Sequence, residues 1–78
     1  MRQKSRKLIL TFHTTTAAIA MESLCQRRAM PGRLIPVPRE ITANCGMAWC
    51  AEPREEELLR RAAEEEKIPV AGWYQVEI

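Results

Sequence analysis

At 78 residues, with 46% hydrophobic and 28% charged side chains, the chain has room for one domain around a small core, and its balance excludes a disordered polymer. A formal net charge of +2 is too small to require a polyanionic partner, so nucleic acid is not favoured. No apolar run approaches the roughly 20 residues that cross a bilayer, and three cysteines, an odd number, do not suit a secreted disulfide framework.

The chain opens on "MRQKSRK", whose positive charges read as a solvated arm over residues 1–6 ahead of a single domain at 7–78. "LILTF" is too short for a signal-peptide core, and no small-residue cleavage site follows it. With free thiols, the expected setting is a reducing cytoplasm.

"KLILTFHT" alternates as a strand, placing Leu8, Leu10 and Phe12 on one face and Ile9 and Thr11 on the other. Thr14, Thr15 and Thr16 then offer a helix N-cap. The helix follows from Ala17 to Ala29, with Ala17, Ala20, Met21, Leu24 and Arg28 along one stripe. Pro31 cannot continue it and Gly32 can turn sharply.

"RLIPVP" predicts a second strand at a sheet edge, because its prolines deny donors to a ladder. "GMAWCA" predicts a short third strand. Pro53 suits the first position of a second helix, with Glu55, Glu56 and Glu57 in its positively polarised first turn and an end near Lys67. Leu58, Leu59, Ala62 and Ala63 form its buried stripe. Glu56–Arg60, Glu57–Arg61, Arg60–Glu64 and Arg61–Glu65 stand four apart, so the charge run reads as a solvated helix face. "WYQVEI" closes the pattern as a fourth strand, with Tyr74, Val76 and Ile78 on the expected core side. Trp73 then falls on the opposite, open side.

The order strand, helix, strand, strand, helix, strand predicts an α+β, ferredoxin-like βαββαβ sandwich, in which two helices cover one face of a four-stranded antiparallel sheet. The other face is left for a second copy or a protein partner, and an exposed Trp73 would mark such an interface. Base stacking by RNA is the weaker reading, because the strands lack the aromatic signature of RNA-recognition domains.

In this topology the loop after the second strand lies at the same end as His13 and the first helix's N-terminus. That loop, "PREITANCG", carries Arg39, Cys45 and Gly46. A helix start exposes unpaired N–H groups and a partial positive charge, Arg39 adds a full one, and the threonine hydroxyls add donors. Such surroundings favour a thiolate at Cys45, and Gly46 leaves the backbone uncrowded for an approaching substrate. The competing reading of Cys45 is a small half-buried residue at a strand start.

"LIPVPREITANCGMA", preceded by "TFHTTTAAIAME", resembles the bacterial selenium/sulfur carrier protein-like family, over about Leu8 to Val76. The most specific part is Pro38-Arg39 followed by Cys45-Gly46, and Phe12, Thr14, Thr15 and Glu22 match the family's early pattern. The resemblance implies that Cys45 carries persulfide or selenide between protein partners, with Arg39 and the threonines holding an anionic donor. Cys50 stands where the family commonly has a basic residue, and Thr14 replaces a usual serine but keeps the hydroxyl.

Cys50 reads as sheet packing, with redox pairing to Cys45 as the alternative, and Cys25 as core packing. His13 reads as a loop histidine near a helix start, with a general-base role toward Cys45 as its sharper alternative. His13, Cys45 and Cys50 lack the spacing of a zinc site, so neither metal nor cofactor is expected. Without a convincing acid–base pair, carriage between partners is favoured over multi-turnover chemistry. The alternative function is a non-catalytic binding or regulatory module working through the open sheet face.

Overall fold

The computed structural model describes residues 4–41 and 46–78. Its elements are β1 (Arg6–Thr11), α1 (Thr15–Arg27), β2 (Arg33–Pro36), β3 (Met47–Ala51), a 3-10 turn at Pro53–Glu55, α2 (Glu56–Glu65) and β4 (Gly72–Glu77). The strands form one sheet in the order β2-β3-β1-β4, with every neighbouring pair antiparallel. This is the expected α+β, ferredoxin-like βαββαβ arrangement. The crossover through α1 leaves room for β3 between β1 and β2, and the crossover through α2 leaves room for β1 between β3 and β4.

The elements follow from local chemistry. The Thr14 backbone is extended at φ −137° and ψ 154°, and its hydroxyl oxygen accepts the Ala17 N–H at 3.1 Å, capping α1. Lys67, at φ 56°, closes the turn after α2, which ends at Glu65, two residues short of the expected end. Pro53 opens a 3-10 turn and not the α-helix itself. The Glu55 carboxylate accepts the Glu52 N–H at 2.9 Å there, and the regular helix begins one residue later. β2 lies at the edge, as its prolines required. Pairing of β1 with β4 extends back to Ser5, which exchanges backbone hydrogen bonds with Ile78 at 3.1 and 3.2 Å. Ordered ladder therefore reaches into the stretch read as a solvated arm.

Two apolar clusters sit on opposite faces of the sheet. Leu8, Leu10 and Phe12 of the first, together with Trp49 and Ala51, pack beneath Ala17, Ala18, Met21, Leu24 and Cys25 of α1 and Leu59, Ala62 and Ala63 of α2. Each fully buried leucine in such a core contributes roughly 1.5–3 kcal/mol. Arg28 is exposed at the end of α1 instead of continuing its stripe. It reaches Glu65 at 2.8 Å and Glu66 at 3.0 Å, while Arg27 reaches Glu66 at 2.8 Å, so these pairs join the two helices. Within α2, Arg60–Glu56 at 2.8 Å and Arg61–Glu57 at 3.6 Å form as expected. Leu58 is 52% exposed, so only Leu59, Ala62 and Ala63 of the expected stripe are buried.

The second cluster corrects two expectations. Ile9, Ala48 and Cys50 on the face away from the helices are buried by Ile41, with Ile35, Val37 and Val76 around them. The chain's own loop thus covers much of the face expected to be open, which leaves less of it for a second copy or partner. The register Leu10↔Trp73 and Ile9↔Tyr74 then puts Trp73 on the helix side, and Tyr74 and Val76 on the other. Trp73 packs against the main core, so it is no exposed platform.

Candidate thiol site

The register Thr11↔Ala48 places the start of β3 beside the end of β1, so Gly46 and the β1–α1 junction share one end of the sheet. His13, Thr14, Thr15 and Thr16 are exposed there. The first turn of α1 carries no acidic residue, so nothing on the helix itself offsets its positive end. Thr14 Oγ1 accepts the Ala17 N–H, and its hydroxyl proton can still be donated to an incoming group.

The described part of the Arg39 loop forms a turn. The Ile41 N–H donates to the Pro38 carbonyl at 3.0 Å, closing a turn with Arg39 and Glu40 at its exposed corner. Ile41, at 8% exposure, is driven into the second cluster, on the face opposite α1. Of this loop, Ile41 is fixed on the far face, while His13 and Thr14–Thr16 lie at the sheet end; the expected convergence on the helix start runs through positions 42–45, outside the described residues. Cys45 lies outside the described residues, as do any pairing it makes and the His13 base role toward it.

The described residues on either side of positions 42–45 are both held by the fold. Ile41 holds one side by burial, and on the other the Gly46 carbonyl accepts the Val37 N–H at 3.0 Å. Gly46 is exposed, and a side chain there would meet no described atom within 4 Å.

The other two thiols are buried. Cys25 is 1% exposed in the main core, and desolvation pushes its pKa up to about 11. Cys50 is 7% exposed, and burial also pushes its pKa up, against the opposing pull of Lys7 and Arg33. These cations belong to a group that sequence reading missed. Arg33 faces Cys50 across the β2–β3 ladder, Lys7 pairs with Glu52, and a cleft of about 530 Å³ opens beside them. The signal was the hairpin register, which pairs Arg33 with Cys50 once the loop length is known. Among the described residues, no three histidine, cysteine or carboxylate groups gather where they could hold a metal ion. No described helix is long and apolar enough to cross a membrane.

The four antiparallel strands and two helices define a small α+β domain of ferredoxin-like type. The family model described as "Putative Se/S carrier protein-like" matches residues 7–75, and the chain belongs to that family. No curated protein and no solved structure matches it.

Proposed function

We propose that Cys45 is a carrier thiol that accepts a sulfur or selenium atom from one protein and passes it to another. Its thiolate attacks the terminal sulfur of a donor persulfide. One S–S bond forms to Cys45, the donor's own S–S bond breaks, and the donor leaves as thiolate with no net oxidation. Delivery to an acceptor is the same exchange in reverse, and a selenium atom in the terminal position follows the same course. Arg39 and the α1 N-terminus with Thr14, Thr15 and Thr16 would attract the anionic donor. This role makes the protein an accessory to other enzymes, with protein partners on both sides of the transfer.

The observation that carries this reading is the contrast among the thiols of a family named for selenium and sulfur carriage. Cys25 and Cys50 are buried with raised pKa values, which disfavours the nucleophilic form, and Cys45 adjoins the exposed Gly46. The test is alkylation of each cysteine as a function of pH, resolved by mass spectrometry. Labelling at pH 6 should be fastest at Cys45, and Cys45→Ser should abolish persulfide loading from a sulfane-sulfur donor. Loading that survives Cys45→Ser refutes the assignment. Fastest labelling at Cys50 would move it to the cluster around Lys7 and Arg33.

A further inference from the structure

The two edges of the sheet differ in what they offer. In an antiparallel ladder, residues alternate between exchanging both backbone hydrogen bonds with their neighbour and pointing both groups away. Ser5 and Ile78 exchange both, and the register carries that phase along β4, so Tyr74 and Val76 bond inward to β1. The N–H and C=O groups of Trp73, Gln75 and Glu77 therefore point outward from the edge. On the opposite edge, Val37 bonds inward to Gly46, which puts the donor-less nitrogen of Pro36 on the outside. β2 is blunted by proline. β4 has no proline, no bulge in its six paired positions and one charged residue, Glu77, so within the strand itself it carries few of the usual protections of an edge.

We infer that β4 is a self-association edge: two copies of this chain pair their β4 strands antiparallel about a two-fold axis at Gln75, giving one continuous sheet. The side chains select this register. With Gln75 opposite its own copy, Trp73 faces the second copy's Glu77, and these outward-pointing residues exchange their backbone bonds. Between them Tyr74 meets the second copy's Val76, an aromatic–β-branched pair on the face away from the helices. Tyr74 is 41% exposed in the single chain and has apolar surface to bury.

Charge supports the same register. The Arg60 guanidinium lies 4.4 Å from the centre of the Trp73 ring, which holds a cation beside the edge strand, and its Nε donates to Glu56 at 2.8 Å. A Glu77 arriving opposite Trp73 brings a carboxylate to that cation, and the symmetry repeats the pair. Shifting the register by one residue moves the carboxylate to the other face and breaks the Tyr74–Val76 pairing. This inference is independent of the thiol reading, since no residue in it belongs to the Cys45 loop.

Sedimentation equilibrium of the full chain over a concentration series tests it. The expected species is twice the 9.0 kDa chain mass. Gln75→Pro removes an outward N–H without touching the β1–β4 ladder, so it should give a monomer with unchanged far-ultraviolet circular dichroism. Should that variant fail to fold, Glu77→Lys places like charges beside Arg60 and should weaken the dimer about tenfold, less at high salt. Amide exchange adds a residue-level readout. The N–H groups of Trp73, Gln75 and Glu77 should gain protection as concentration rises, whereas those of Tyr74 and Val76 are protected throughout. A monomer at all concentrations, or a dimer unaffected by both substitutions, overturns the inference.

Discussion

Arg60 of α2 stacks its guanidinium over Trp73 of β4, 4.4 Å from the ring centre, and so ties the second helix to an edge strand. A cation over an indole contributes about 0.5–1 kcal/mol at a partly exposed site. Arg60→Ala should lower stability by about that amount, while Arg60→Lys should restore part of it by keeping a cation over the ring. Urea unfolding followed by tryptophan emission would measure both.

Two adjacent leucines of α2 should behave oppositely. Leu59 is fully buried, so Leu59→Ala opens a cavity and should cost about 2–5 kcal/mol. Leu58 is 52% exposed, and Leu58→Ala should change stability by less than about 0.5 kcal/mol. Thermal unfolding of the two variants side by side decides it, and equal losses would refute the packing described for α2.

Acid should loosen the junction between the helices. The hydrogen bond from Arg27, followed by the nearby Arg27 and Arg28 charges, holds the Glu66 carboxyl below its ordinary value of 4.5. A lowered carboxyl pKa stabilises the fold above the unfolded value, and that contribution disappears as pH falls through the folded value. Wild type and Glu66→Gln should therefore differ at neutral pH and converge as pH drops below 4.5. Added salt should narrow the difference at neutral pH. A constant gap through the acid range would show that the pair does not titrate with folding.

Gly32 should not tolerate a side chain. Its φ of +120° is a conformation L residues rarely adopt, and a Cβ there would press on the Trp49 indole and come within 2.8 Å of the Cys50 carbonyl. The same indole donates its N–H to the Pro31 carbonyl at 3.2 Å, so the displacement would also disturb that bond. Gly32→Ala should cost about 1–3 kcal/mol and shift Trp49 emission. An unchanged urea midpoint would contradict the close approach.

The parts of the fold legible in the sequence are those set by local rules. β1 shows its faces because Leu8, Leu10 and Phe12 form one wholly apolar set, set off from Ile9 and Thr11 by strict alternation. β4 does not, because its two faces are both mixed: Trp73, Gln75 and Glu77 against Tyr74, Val76 and Ile78. Counting apolar residues favours the second set, but the register with β1 puts Trp73 beside Leu10 and under α2. Leu58 and Leu59 pose the same problem on a helix, since neighbours only about 100° apart are separated by packing and not by pattern.

The candidate site was legible as chemistry and less so as geometry. The Thr14 cap and the shared end of the sheet follow from residue type and strand order. The path of the Arg39 loop does not, because it depends on Ile41 finding an uncovered patch over Ile9 and Ala48. A lone apolar residue among loop residues gives no periodic signal.

By itself the sequence determined the order of the elements, the edge position of β2 and the capped start of α1. These depend on proline, threonine and strand alternation acting over a few residues. Only the tertiary structure decided the phase of β4, the covering of the far face and the exposure of Leu58 beside a buried Leu59. Each of those turns on which distant residues meet, and a local pattern states that a strand has two faces without stating which one the core will claim.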